Sequence, residues 1–174
     1  MKLTRTIRNL AILAVILCNI GCDQVTKTVI RRNMGEYEQL SYLNNHFTIT
    51  KTENTGAFLS LGDTLPLPVK LVVLSLLPLL VLGGATYFVI TKTNISNVLA
   101  LGICFVIGGG VGNLYDRIVH GSVTDFLHLD FVVFRTGIFN MADVSIMTGM
   151  ALILCYTYLT KVKPADTYQT PPLE

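Results

Sequence analysis

The sequence predicts an all-α membrane protein with four transmembrane helices, a small β element and a loop on the outer side. Of the 174 residues, 51% are hydrophobic and only 14% are charged. The apolar residues gather in runs rather than at amphipathic spacing, which is typical of membrane proteins. Four of these runs, at roughly 20 residues each, are long enough to cross a bilayer as helices.

The four predicted spans cover about 7–30, 69–90, 98–119 and 138–159. An even number of spans places both termini on the same side of the membrane. Several basic residues lie next to the span ends on that side: Lys2, Arg5, Arg8, Lys92, Lys161 and Lys163. The positive-inside rule therefore predicts cytoplasmic termini. Other basic residues then fall outside, so this orientation rests mainly on the N-terminal cluster and the short inner loop.

A polar outer segment, about 31–66, separates the first two spans. Within it, residues 47–52 alternate with β-branched side chains and predict a strand, preceded by a turn at Asn44-Asn45. Pro66 and Pro68 mark the start of the second helix, because proline fits a first turn. A shorter outer loop, about 120–137, carries Asp125. We expect one membrane domain over 1–163 and a disordered tail over 164–174.

Cysteine and histidine spacing does not predict a metal site. Cys18, Cys22, Cys104 and Cys155 fall in apolar segments and are interpreted as small buried hydrophobes. An alternative for Cys22 is a cleaved lipoprotein signal peptide, although three later spans favour an uncleaved first helix. The three histidines, predicted to be solvated, are His46, His120 and His128.

Two polar groups are predicted on helix faces. Asp23 and Lys27 lie four residues apart and can form an ion pair, with either a structural role or a substrate contact. Asn113, Asp116 and Arg117 share a face of the third helix. We expect Arg117 to neutralise Asp116 while it offers donors to a carbonyl or carboxylate.

This pairing leaves Asp125 and Asp143 as acids without a basic partner. Asp143 shares a helix face with Asn140 at the start of the fourth span. Ionisable residues at the edge of hydrocarbon are usually functional, and two neighbouring carboxylates favour a shared proton. The pair predicts acid/base hydrolysis without a metal or cofactor.

The glycine run from Gly108 to Gly112 lies inside the third span. No nucleotide-binding strand precedes it, so a phosphate loop is not predicted. Gly108 and Gly112 have the spacing that lets two helix backbones approach closely in lipid.

Five motifs occur in order along most of the chain: Asp23-Gln24-Val25-Thr26-Lys27, Asn54-Thr55-Gly56-Ala57, Gly109-Gly110 followed by Gly112-Asn113-Leu114-Tyr115-Asp116-Arg117, Val123-Thr124-Asp125-Phe126 and Phe139-Asn140-Met141-Ala142-Asp143. Together with four spans and a polar outer segment, they resemble the lipoprotein signal peptidases, the type II signal peptidases of bacteria.

The resemblance implies a multi-pass inner-membrane aspartyl endopeptidase that cuts diacylglyceryl-modified prolipoproteins just before the lipidated cysteine. It implies Asp125 and Asp143 as the catalytic pair. It also implies roles for two further sets of residues. The substrate-binding or supporting residues are Asn54, Gly56, Asn113, Arg117 and Asn140, and the structural polar residues are Asp23, Lys27 and Asp116. We expect a monomer in contact with membrane lipid, without a nucleic-acid partner.

Two other functions remain open from the residues alone. A small transporter or proton channel also carries intramembrane acids, but is expected to line them along several spans. A noncatalytic assembly protein can use glycines and polar pairs for helix packing, but has no need of two unpaired acids.

Overall fold

The computed structural model describes residues 5–35, 38–57, 61–131 and 133–161, so the predicted disordered tail lies outside the described part. In chain order the elements are α1 (Arg5–Asn33), β1 (Gln39–Tyr42), β2 (Phe47–Asn54), α2 (Leu67–Thr91), α3 (Asn97–His120), β3 (Val123–Phe131), β4 (Phe134–Arg135) and α4 (Met141–Lys161). All four helices are long and apolar enough to cross a membrane. The predicted fold class is confirmed.

The second span is interrupted by a proline. It begins at Leu67 behind Pro66, as predicted, but a π-helical stretch, Leu71–Leu76, separates its first turn from the α-helix Leu77–Thr91. Pro78 lies in the first turn of that second part. Proline lacks a backbone N–H and clashes with the carbonyl four residues earlier, so the helix widens just before it.

The segments predicted to lie on the outer side form one antiparallel sheet in the order β1-β2-β3-β4. The β1–β2 turn has positive φ angles at Leu43, Asn44 and Asn45, and asparagine adopts this conformation more readily than most residues. The predicted loop at 120–137 is mostly strand. Asp125 lies on the same side of β3 as several apolar residues. It therefore breaks the alternation of apolar and polar side chains that would otherwise have predicted a strand.

The glycines of α3 allow close helix packing, as predicted. A Cβ on Gly108 would lie 2.6 Å from the Asn19 Cβ, and one on Gly112 would lie 2.5 Å from Asp23 Oδ2. A Cβ on Gly109 would collide with the Ala142 carbonyl oxygen. The α3 helix therefore packs closely against α1 and α4.

The fourth helix starts at Met141, three residues later than predicted. Phe139 instead forms a β-bridge with Leu127, so the chain enters α4 from the edge of β3. This later start places Asp143 in the first turn of α4. The two candidate catalytic acids thus lie at the junction between the sheet and the helices.

Candidate active site

A buried lysine organises the polar side of α1. Lys27 is fully buried; its Nζ donates to Asp23 Oδ2 and Asn113 Oδ1 and forms an ion pair with Asp116 Oδ2, each contact at 2.8 Å. Two carboxylates, those of Asp23 and Asp116, thus lie against the buried ammonium group and balance its charge. The predicted ion pair between Asp23 and Lys27 is confirmed, and it belongs to a larger network.

The predicted pairing of Arg117 with Asp116 is wrong. Asp116 pairs with Lys27 and with Arg31, whose Nη2 lies 3.0 Å from Asp116 Oδ1. Arg117 instead donates through Nη2 to the Gly56 carbonyl at 3.0 Å. Neighbouring residues on a helix point in different directions, so Asp116 faces α1 while Arg117 faces away from it.

Arg31 is a site-supporting residue that the sequence interpretation missed. Its Nε donates to Thr124 Oγ1 at 2.7 Å, which connects α1 to β3 beside Asp125. The missed signal was spacing, because Asp23, Lys27 and Arg31 follow one another at four-residue intervals on a single helix face.

Asp125 lies on β3 and is 5% exposed. Its Oδ2 accepts from Asn54 Nδ2 at 3.0 Å, and its Oδ1 accepts from Asn140 Nδ2 at 2.6 Å. Burial raises the pKa of Asp125 to about 6, and the charge of Asp143 adds to this, while the two hydrogen bonds act in the opposite direction. Asp125 therefore keeps its proton up to a higher pH in this site than a carboxyl group does in water.

Asp143 belongs to a capping box at the start of α4. Asn140 Oδ1 accepts from the Asp143 backbone N–H at 3.0 Å, and Asp143 Oδ2 accepts from the Asn140 backbone N–H at 3.0 Å. Asn113 Nδ2 donates to the other carboxylate oxygen at 3.0 Å. The carboxylate is thus fixed at the positive end of the helix dipole.

Asn140 joins the two acids. It is fully buried, and its Nδ2 donates both to Asp125 Oδ1 and to Asn113 Oδ1, the latter at 3.1 Å. Since Asn113 Oδ1 also accepts from Lys27, the amide of Asn113 is oriented with its donor toward Asp143. A continuous hydrogen-bonded network therefore runs from the buried lysine to both carboxylates.

The loop after β2 is held by Asn54 and Arg117. Asn54 Oδ1 accepts from the Gly56 N–H at 2.9 Å, and its Nδ2 donates to the Ala57 carbonyl at 3.1 Å. Arg117 holds the Gly56 carbonyl from α3. The next residues, 58–60, lie outside the described part. These contacts place the Gly56 backbone beside Asp125.

The acids lie at the polar end of a cavity of about 730 Å³. Its polar lining consists of Asn54, Asn113, Arg117, Asp125, Asn140 and Asp143. Its apolar lining comes mainly from α2 and α4, including Val73, Leu77, Val81, Ile146 and Met147. Such a cavity can hold an apolar chain with one polar group beside the carboxylates.

The described residues include no group of three His, Cys, Asp or Glu side chains placed to hold a metal ion. The prediction of solvated histidines holds for exposed His120, but His46 and His128 are half-buried. His46 stacks on Phe131 and contacts the Asp130 carbonyl at 2.6 Å. Cys104 is buried as predicted, whereas the other three cysteines lie on helix surfaces.

Comparison with known proteins gives one consistent result. The sequence model of the family described as Signal peptidase (SPase) II matches residues 15–159. The lipoprotein signal peptidase of Streptococcus pneumoniae is 34% identical over 145 residues, which is 83% of this chain and 90% of that protein. The lipoprotein signal peptidase of Bacillus subtilis is 30% identical over 149 residues, covering 86% and 94%.

Two solved structures share the fold. Both are described as bacterial membrane enzymes determined by the in meso method, at 2.3 Å and 1.9 Å resolution. The first has a TM-score of 0.79 at 23% identity and covers 92% of this chain and 94% of its own. The second has a TM-score of 0.74 at 24% identity, with coverage of 89% and 94%.

Proposed function

The chain belongs to the signal peptidase II family, and from this premise we propose that it is an aspartic endopeptidase of the bacterial inner membrane. Its substrates are prolipoproteins that carry a diacylglyceryl group, and it cuts immediately before the lipidated cysteine. The observation that carries the catalytic assignment is the bridge that Asn140 makes between Asp125 and Asp143 at the end of an apolar cavity.

The two carboxylates divide the acid and base roles. Asp143, which accepts two N–H donors at a helix N-terminus, is the base that removes a proton from the attacking water. Asp125 is the acid, because burial favours its protonated form. The water oxygen bonds to the scissile carbonyl carbon as Asp125 protonates the oxyanion. The C–N bond then breaks with its electron pair going to nitrogen, the departing amine takes the proton that Asp143 received, and one hydroxyl of the diol returns its proton to Asp125 as the new carboxyl group forms.

Arg117 supplies donors to the substrate backbone. Its Nη2 holds the Gly56 carbonyl, while its buried Nε has no hydrogen-bond partner among the described residues. Most of the cavity lining is apolar, so a substrate carbonyl that leaves water to bind there needs a protein donor. The side chain of Asn54 already makes hydrogen bonds to Asp125 and to the backbone of its own loop. We therefore assign Asn54 to positioning rather than to direct substrate binding.

The apolar wall of the cavity suits the signal peptide, while the diacylglyceryl chains remain in lipid. The acids lie at the end of the bundle that carries the sheet, and the basic residues at the helix ends on the other side favour cytoplasmic termini. The scissile bond is then cut near the outer face. A transporter is not favoured, because both uncompensated acids gather at one end of the bundle.

The test is cleavage by the purified protein in detergent. A lipidated prolipoprotein should shift on a gel to the size of its mature form. The matched control is the same substrate with serine in place of its lipid-accepting cysteine, which should stay intact. Equal cleavage of both substrates would contradict the proposed specificity, and cleavage of neither would contradict the proposed activity.

A further inference from the structure

A second cavity, of about 170 Å³, lies between α1 and α3 at the opposite end of the bundle from the acids. Its polar lining residues are Arg8 and Asn97, and its apolar wall includes Ala11, Ile12, Val15 and Leu101. Arg8 precedes Asp23 by 15 residues on one helix, so it lies about 22 Å from that end of the network at 1.5 Å per residue. This cavity is therefore separate from the proposed active site.

Only part of the Arg8 guanidinium group is hydrogen-bonded among the described residues. Its Nη2 donates to the Val89 and Lys92 carbonyls, both at 3.0 Å, and thereby caps the end of α2. Its Nη1 is buried and has no hydrogen-bond partner in the described part of the chain. A buried N–H donor on a charged group is costly to leave without a partner, so the geometry calls for an acceptor, and an anionic acceptor also balances the charge.

The segments that form this end of the bundle supply no carboxylate to pair with Arg8. There is no Asp or Glu in residues 1–22, 64–115 or 144–165. Arg5 and Lys92 add positive charge beside Arg8, and the described ion pairs include none of these three residues. The local field therefore attracts an anion and repels a headgroup that carries its own cation.

We propose that this cavity binds one anionic phospholipid. The phosphate accepts a hydrogen bond from Arg8 Nη1, and the first part of an acyl chain lies against Ala11, Ile12 and Leu101. The site combines one cationic donor with an apolar wall at the end of a transmembrane bundle, which matches the chemistry of a lipid rather than that of a soluble anion.

The test is native mass spectrometry of the purified protein from micelles that contain equal phosphatidylglycerol and phosphatidylcholine. The parent should retain one phosphatidylglycerol in preference to phosphatidylcholine. In Arg8→Gln this preference should fall about tenfold or more, as expected when a hydrogen bond to a charged group is lost. Arg5→Gln removes the same charge from an exposed position outside the cavity and should keep most of the preference.

A second variant separates lipid binding from helix capping. Ala11 is exposed and lines the cavity, so Ala11→Leu should block the acyl chain while the Arg8 contacts to α2 remain. We expect it to lose the bound lipid with little change in the melting temperature of lipid-free protein. Equal lipid retention by the parent, Arg8→Gln and Ala11→Leu would overturn the proposal.

Two other occupants are distinguished by the same assay. If inorganic phosphate displaces phosphatidylglycerol at equal concentration, the site binds a free anion and the lipid assignment is wrong. If phosphatidylglycerol binds only after residues 164–174 are removed, an acid of the tail fills the site in the intact chain and the proposal is equally wrong. Neither result would affect prolipoprotein cleavage.

Discussion

Replacing Asp125 with asparagine should make the stability of the protein less dependent on pH. Burial raises the pKa of Asp125 from 3.8 to about 6 in the folded state. Because the folded pKa lies above the unfolded value, the contribution of this group to the free energy of unfolding is fully present below about pH 4. It is lost as the pH rises through about 6.

The size of the effect follows from that difference in pKa. At 1.36 kcal/mol per unit, about two units correspond to a loss of about 3 kcal/mol between pH 4 and pH 8. Asparagine does not titrate, so Asp125→Asn should lack this loss. Its side chain has only one acceptor for the Asn54 and Asn140 donors, which costs about 1–3 kcal/mol at every pH.

The assay is thermal unfolding in detergent at pH 4, 6 and 8. For a chain of this size, about 3 kcal/mol corresponds to about 6–12 °C in Tm. The drop in the parent between pH 4 and pH 8 should exceed the drop in Asp125→Asn by about this amount. The matched control is Asp130→Asn, on the same strand but paired with exposed Arg135, which should retain the parent's pH dependence. If Asp125→Asn retains it as well, the burial argument for Asp125 is wrong.

Three further predictions concern the rest of the site. Arg117→Lys should lower the cleavage rate about tenfold or more at near-parent Tm, because a lysine cannot hold the Gly56 carbonyl and contact the substrate at the same time. Arg117→Ala should lower Tm as well as the cleavage rate. A parent-like cleavage rate in Arg117→Lys would refute the substrate contact. Gly112→Ala should destabilise the protein by about 1–3 kcal/mol, since the new Cβ would meet Asp23 Oδ2. Gly84→Ala should stabilise it by about 0.5–1 kcal/mol, because a Cβ at Gly84 would have no other atom within 4 Å. Equal melting temperatures of the two variants would contradict the packing account. A chelator should leave the cleavage rate unchanged, and loss of cleavage that a divalent metal restores would disprove a metal-free mechanism.

Much of the fold could be predicted because the bilayer imposes it on the sequence. Long apolar runs must form helices when backbone groups cannot bond to water, so the four spans were evident. The strand at residues 47–52 was also evident, since its side chains alternate. The start of α4 was missed, because Ile138 and Phe139 are as apolar as the helix itself, yet Phe139 forms a β-bridge with β3.

The acids of the candidate site could be identified from the sequence, but their partners could not. Asp125 and Asp143 were singled out because neighbouring cations were assigned to other acids. Part of that reasoning was wrong, since Asp116 is neutralised by Lys27 and Arg31 on another helix rather than by adjacent Arg117. Contacts between helices depend on rotation and depth, which spacing along one helix does not fix. The bridging role of Asn140 likewise needed the β3–α4 junction.

The most direct test of the account is the cleavage rate of Asp143→Asn measured beside the parent and Asp130→Asn, with one lipidated prolipoprotein and matched detergent preparations. We predict that Asp143→Asn remains folded and cleaves at least about a hundredfold more slowly, as expected when a general base is lost, while Asp130→Asn cleaves at the parent rate. Cleavage by folded Asp143→Asn at the parent rate would contradict the assignment of Asp125 and Asp143 as the catalytic pair.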